Sequence, residues 1–379
     1  MDHWTMKQVS TNHIGLSYVV YGNGLYVAYG QYSDYGAVMS SEDGINWVLR
    51  NDGGGPLGSG LSYSVALSYT GGKFFAFGGF GVSAVSSNGI NWTTFPLPIA
   101  KGAAYGASKY VAVVNDNYTV PPATGVFTST DGQFWVQQQA LNASLGDIAY
   151  GAGLFVAIGI DNGSTNNSGH IYTSSSGTNW TERSILGGRT ISFCNSIFIV
   201  PFGAGTNLIS ANGIDWATIN TGISNKLGKI TYTHGMFLAL AGPDSYDYTF
   251  TNLAASTNGT NWYQYSKELP KRASTVATDG TRLLTVRSQF IDVSHSDGFV
   301  YYTDPLVSLD VTNTPPVQVV LSGLVGRSYR IESTDSLTNS VVNNWRTNIT
   351  LLLPSDPLLW TDVTATGLPQ RFYRAVLLP

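Results

Sequence analysis

Ser41-Glu42-Asp43-Gly44-Ile45-Asn46-Trp47 decides the fold, because the phrase returns. It recurs as Ser86-Ser87-Asn88-Gly89-Ile90-Asn91-Trp92 and as Ser129-Thr130-Asp131-Gly132-Gln133-Phe134-Trp135. Further copies are Ser174-Ser175-Ser176-Gly177-Thr178-Asn179-Trp180, Ser210-Ala211-Asn212-Gly213-Ile214-Asp215-Trp216 and Ser256-Thr257-Asn258-Gly259-Thr260-Asn261-Trp262. A decayed seventh copy reads His295-Ser296-Asp297-Gly298-Phe299-Val300-Tyr301. The closing aromatics are 36 to 46 residues apart. A period of about 40–50 residues with several short strands per unit is the spacing of a propeller blade.

A second phrase precedes the boxes. Tyr18-Val19-Val20-Tyr21-Gly22-Asn23-Gly24-Leu25-Tyr26-Val27-Ala28 is two β-prone runs about a tight turn. Ala149–Ala157 and Ile230–Ala239 repeat the pattern. Turn residues between such runs signal a hairpin. Each unit therefore reads as strand A, turn, strand B, variable loop, strand C, box, strand D. Seven units fill residues 1–305.

In each box the Asp or Asn side chain accepts backbone N–H bonds. The glycine supplies a positive φ. The tryptophan covers the turn or the gap between blades. Asn88, Asn212 and Asn258 keep one carbonyl acceptor and Ser176 keeps only a hydroxyl. A catalytic carboxylate does not drift in this way within one chain, so all seven boxes read as structural.

These boxes resemble the Asp-box of the sialidase-like propeller superfamily over residues 1–305. The resemblance implies an all-β fold, a seven-bladed propeller of four-stranded blades. It leaves the activity open, since that superfamily includes sialidases, xyloglucan-cleaving glycosidases, sorting receptors and photosystem assembly factors. Sialidases, as a family, use three arginines and an Arg-Ile-Pro motif, which this sequence lacks. Xyloglucanases of the class pair two propellers, and this chain has one.

The N-terminal His3-Trp4-Thr5-Met6 resembles Asn91-Trp92-Thr93-Thr94, the opening of a strand D. It is expected to supply the outer strand of the last blade and so close the ring. Past Thr303-Asp304-Pro305 the pattern breaks. Short alternating runs at Val317–Leu321, Tyr329–Ser333, Leu359–Val363 and Phe372–Leu377 predict a small β-sandwich over 306–379. It resembles a C-terminal module of secreted environmental-bacterial proteins, which implies attachment, sorting or packing on the propeller.

Composition narrows the function. The 379 residues carry a net charge of −4, with only 11% charged and 43% hydrophobic. No positive surplus exists for nucleic acid. No apolar run approaches the roughly 20 residues of a membrane span. Cys194 is the only cysteine and sits in the apolar Ile191–Cys194 stretch, the place of a small core residue. The Ser/Thr/Asn/Gly-rich composition leans toward an extracellular or periplasmic protein, with a cytoplasmic one as the alternative. A monomer is expected.

In a four-stranded blade the A–B turns and boxes share one face, and the B–C and D–A loops share the other. The variable loops are where function is expected. The B–C segments carry Asp34, Tyr35, Asp116, Tyr118, Asp161, Asp244, Tyr246, Asp247, Arg287 and Asp292, the candidate ligand-binding set. Carboxylates beside aromatics suit a small-molecule or carbohydrate ligand. Asp34, Asp116, Asp161, Asp247 and Asp292 could instead converge on Ca²⁺, which takes six to eight oxygens. Loop polarity alone would also place Asp, Asn and Tyr there. Three functions follow: a ligand-binding propeller, a hydrolase on the same face (a two-carboxylate glycosidase or a Ca²⁺-assisted lactonase or esterase), or a protein-interaction scaffold. Whether the chain is an enzyme, and through which residues, stays open at this stage. Nine of the propeller's 14 basic residues also fall in D–A segments: Arg50, Lys101, Arg183, Arg189, Lys226, Lys229, Lys267, Lys271 and Arg272.

Overall fold

A computed structural model describes residues 4–10, 14–32, 35–51, 64–79, 81–116, 123–141, 143–160, 168–233, 235–242, 252–265, 275–279, 282–290, 296–303, 308–312, 316–323, 328–335, 345–354, 358–365, 368 and 370–378. These residues are strands and turns, with no helix among them.

The hairpin phrase and the box together fold as one meander. The first sheet runs Ile14–Gly22 (A), Leu25–Tyr32 (B), Tyr35–Ser41 (C) and Val48–Asn51 (D). The second uses Ser64–Thr70, Lys73–Gly78, Val82–Ser86 and Thr93–Pro96. The third uses Ala100–Gly106, Lys109–Asp116, Ala123–Ser129 and Val136–Gln139. The fourth uses Ser144–Gly151, Leu154–Ile160, Ser168–Ser174 and Thr181–Leu186, and the fifth Ser192–Cys194, Ile197–Gly203, Thr206–Ser210 and Ala217–Asn220. In the sixth, strand A is split into Lys226–Leu227 and Thr231–Thr233, both on Met236–Gly242, before Asn252–Ser256 and Tyr263–Gln264.

The next sheet joins the two ends of this region. Ala277–Thr278, Leu283–Phe290 and Ser296–Thr303 supply A, B and C, and Trp4–Ser10 supplies D. The expected ring-closing strand is therefore present, antiparallel with Trp4 opposite Thr303 and Met6 opposite Tyr301. This corrects the seventh box. Ser296, Asp297 and Gly298 lie inside strand C, opposite Phe290, Gln289 and Ser288. With D supplied by the other end of the chain, this sheet needs no C–D turn, so the triplet pairs as strand.

The B strands explain how sheets stack. Their side chains alternate between two neighbours, and both sides are buried. Leu25, Val27 and Tyr29 pack against Phe74, Ala76 and Trp92 of the second sheet. Tyr26 and Ala28 pack the other way, against Leu284, Val286 and Val300. Such clusters join each sheet to the next in order, and the last to the first. Each holds one tryptophan from the start of a strand D: Trp47, Trp92, Trp135, Trp180, Trp216 and Trp262 just before it, and finally Trp4 as its first residue. From the seventh sheet through the first to the sixth, successive A strands touch one another and so line the axis.

The A–B hairpins turn on two residues with positive φ, as at Asn23 (49°) and Gly24 (74°). That geometry matches the right-handed strand twist. A methyl on Gly106 would stand 2.3 Å from the Tyr150 ring, so the aromatic of one sheet seats on the hairpin glycine of the sheet before.

Beyond residue 303, two three-stranded sheets share one core. One orders Ser308–Val311, Gln318–Ser322 and Leu358–Thr361; the other orders Arg346–Leu352, Ser328–Thr334 and Phe372–Leu377. Val319, Leu321, Tyr329, Ile331 and Leu353 fill the space between them. Ser308–Val311 and Arg346–Leu352 are strands that the sequence reading did not anticipate. Asp362 ties both sheets, accepting from Arg371 Nη1 (2.9 Å) and the Tyr373 hydroxyl (2.8 Å).

Candidate functional site

The box face is internally satisfied. Asp43 Oδ1 accepts from Ile45 N–H (2.8 Å), Asn46 N–H (2.7 Å) and the Ser41 hydroxyl (2.9 Å). Trp47 Nε1 donates to the Gly44 carbonyl at 3.0 Å. Asn88, Asp131, Asn212 and Asn258 repeat the two backbone contacts. Ser176 makes only one, to Thr178 N–H at 3.3 Å. Desolvation raises the Asp43 pKa, but the N–H groups of Asn46 and Ile45 and the Ser41 hydroxyl outweigh it and hold the carboxyl well below its ordinary range. These six boxes spend their polar groups on the turn, which is a structural role.

The opposite face has a different character near the axis. Four A strands carry a β-bulge at one level, just before Tyr18, Ala66, Gly102 and Asp147. A bulge re-aims the side chain that follows it. Three of those residues are uncharged; Asp147 is a carboxylate only 4% exposed. A buried charge persists only when it is paired and hydrogen-bonded. Asp147 Oδ1 accepts from Ile148 N–H (2.9 Å) and Lys229 Nζ (3.1 Å). Oδ2 accepts from Ile191 N–H (3.1 Å) and Lys229 Nζ (2.8 Å). One carboxylate of the fourth sheet thus grips the entry to the fifth and the sixth. With four donors on its two oxygens, Asp147 holds Lys229 in place.

Two further cations flank this pair in the chain. Lys101 precedes Gly102, where a methyl would lie 2.8 Å from Asp147 Oδ1. Arg189 lies beside Gly146, where a methyl would meet the Arg189 carbonyl at 2.8 Å. Lys229 keeps 44% of its side chain exposed while bound to Asp147. The Lys229 ammonium, half exposed, is the described group here that could still meet a polar or anionic ligand.

The sequence reading did not single out Asp147. The available signal was its place: a lone acid in Ser144–Gly151, a strand otherwise of apolar, small and aromatic residues. Of the predicted ligand set, Asp34, Tyr118, Asp161, Asp244, Tyr246, Asp247 and Asp292 lie outside the described residues. Tyr35, Asp116 and Arg287 are placed by their backbone at strand positions, not in loops, and their side chains lie outside the description. Two D–A basic residues are likewise moved into strand D, where Arg50 donates to Ser40 and Arg183 to Thr173. Among the described residues, no three His, Cys, Asp or Glu side chains come together as a metal site. Burial pushes the Cys194 thiol up to about 11, against a smaller opposing effect of Lys229, so it stays a protonated packing residue. No helix among the described residues is long and apolar enough to cross a membrane.

No protein-family model matches the sequence, and no curated protein does. Solved structures do. The structure of YCF48 bound to a D1 peptide matches with a TM-score of 0.57 at 14% identity, over 83% of this chain and 99% of that one. The WD40 β-propeller domain of Doa1 matches with a TM-score of 0.52 at 12% identity, over 79% of this chain and 97% of that one. A chain of the mitotic checkpoint complex matches with a TM-score of 0.51 at 10% identity, over 78% and 93%. Likeness at this identity speaks to fold alone. The chain is a β-propeller protein.

Proposed function

We propose that residues 1–305 are a seven-bladed propeller of the Asp-box kind and residues 306–379 a β-sandwich, in a protein that works outside the cytoplasm. Its function is to bind a small polar or carbohydrate ligand at the axial mouth of the B–C/D–A face. The Asp147–Lys229 clasp at this mouth, with the Lys101 and Arg189 backbones placed beside it, carries this reading. The contrast with the box face supports it, because there the polar groups are consumed by the turns. Asp34, Asp116, Asp161, Asp247 and Asp292 join the proposal as the residues that would hold Ca²⁺.

A peptide is the second reading. The YCF48 structure that this chain resembles contains one, and the half-exposed Lys229 ammonium would equally receive a peptide carboxylate.

The test is calorimetric titration of neutral and acidic oligosaccharides, and of short acidic peptides, into the full chain. Saturable binding that Arg189→Ala and Lys229→Gln each weaken about tenfold supports the reading. Binding untouched by both variants, or none at millimolar ligand, refutes it. Ca²⁺ titrated alone checks the ion.

A further inference from the structure

Away from the axis, a pocket of about 270 Å³ opens between the second and third sheets. Its wall is Gly81, Pro96, Leu97, Pro98, Phe127 and Trp135. Gly81 and residues 96–98 come from the variable-face end of the second sheet and Trp135 from the box of the third, so it lies along the side where the two sheets meet.

The lining is fixed in place. Leu97 N–H donates to the Gly81 carbonyl at 3.0 Å, and Gly81 holds a φ of 75°. Two prolines stiffen the segment that carries Leu97. Trp135 is anchored by Nε1 on the Gly132 carbonyl (3.1 Å), stacked on Phe95 with centroids 6.1 Å apart, and edge-on to Phe75. A rigid wall loses little entropy on binding.

The chemistry selects the occupant. Among the described residues no charged side chain lines the pocket, and the one side-chain donor, the Trp135 N–H, is already committed. A sugar or an ion would lose its hydration there without replacement. An apolar cavity of about 150 Å³ accepts benzene, and drug-sized sites begin near 300 Å³. The volume here fits one bicyclic ring. The sheets supply a comparison: the third sheet follows its strand D with Ala140-Leu141 and the fifth with Thr221-Gly222, where the second has Leu97-Pro98.

We propose that this pocket is a binding site for one uncharged aromatic ring of indole size, independent of the axial mouth. The ring comes from a free small molecule or from an aromatic side chain of a larger ligand, and two probes separate these sources.

The full chain is labelled with 5-fluorotryptophan and followed by fluorine NMR, with the Trp135 line identified by Trp135→Phe. Indole is one probe and N-acetyl-tryptophanamide the other, with glucose as the polar control. Indole is expected to shift the Trp135 line saturably, half-way at about 1 mM, and leave the remaining lines in place. Glucose is expected to shift none. A response to both aromatic probes points to a side chain, and a response to indole alone to a free molecule. Pro98→Trp, which fills the mouth, is expected to weaken the indole response at least tenfold. If that variant misfolds, nuclear Overhauser contacts from indole to the Leu97 methyl groups of the unaltered chain decide instead. No shift at 10 mM indole (roughly ten times the expected midpoint), an equal shift of all tryptophans, or an undiminished response in a folded Pro98→Trp overturns the proposal.

Discussion

Trp4 stands opposite Thr303 in an antiparallel ladder, and its indole packs with Met236, Leu238 and Leu283 between the last two sheets of the ring. It occupies the place that Trp47, Trp92, Trp135, Trp180, Trp216 and Trp262 take in the other interfaces. One residue near the start of the chain therefore completes a repeat that begins near residue 277. The Tyr301 hydroxyl lies 3.1 Å from the Met6 sulfur, and Lys7 Nζ lies 2.9 Å from Asn46 Oδ1 of the first box.

Trp4→Ala should therefore destabilise as a core tryptophan does, not as a terminal residue does. Large aromatic truncations cost about 3–5 kcal/mol when fully buried, and Trp4 is half-buried, so about 2–3 kcal/mol is expected. Urea unfolding checks this against Trp92→Ala. A loss below about 0.5 kcal/mol, the ordinary surface value, would mean that the ring does not depend on this closure.

The fourth box is the weak copy, since Ser176 offers one long bond where Asp or Asn elsewhere offers two short ones. Ser176→Asn should restore the missing acceptor and stabilise by about 0.5–1 kcal/mol. Asp43→Ala should destabilise by about 1–2 kcal/mol and Asp43→Asn by less, because the amide keeps the oxygen that Ile45 and Asn46 need. Thermal midpoints of the three variants rank them.

Asp43 and Asp131 give the acid limb its direction. At Asp131 the N–H groups of Phe134 and Gln133 outweigh desolvation, and at both residues the folded pKa lies below the unfolded one. The unfolded chain then binds protons first as pH falls. Their stabilisation is complete above the unfolded carboxylate pKa of about 3.9 and is lost as pH drops through the folded values. Asp43→Asn with Asp131→Asn should flatten unfolding midpoints below about pH 4 relative to the unaltered chain. Equal slopes in both chains would contradict this assignment. Glu332 and Asp362 are lowered as well, so some acid sensitivity should remain in the double variant.

Asp147→Ala removes an acceptor shared by Ile148, Ile191 and Lys229. Breaking a buried pair costs about 3–5 kcal/mol, but Lys229 can recover water, so about 2 kcal/mol is expected. Lys229→Ala leaves the buried carboxylate with only the Ile148 and Ile191 N–H groups, so about 2–3 kcal/mol is expected there as well. Chemical denaturation checks both, and a loss below about 0.5 kcal/mol for either variant would show that the pair is no clasp.

The sequence by itself determined the repeating unit. A box closes on its own residues, Asp43 to Asn46 and Trp47 to Gly44, three apart along the chain, and a hairpin needs only its two turn residues. Such local hydrogen bonds leave a legible signature wherever they recur, and Trp4 carried enough of it to mark the closing strand. Tertiary structure decided everything that depends on distant partners. Ser296-Asp297-Gly298 looked like a box but became a strand, because the ring's last sheet takes its strand D from the other end of the chain. Asp147 looked like one polar residue in a strand. It became the axial clasp because a bulge turns it toward Lys229, 82 residues away. The aromatic pocket likewise needs Leu97 and Trp135 on facing sheets. Local rules set each unit, and the ring, by choosing which units meet, set what lies between them.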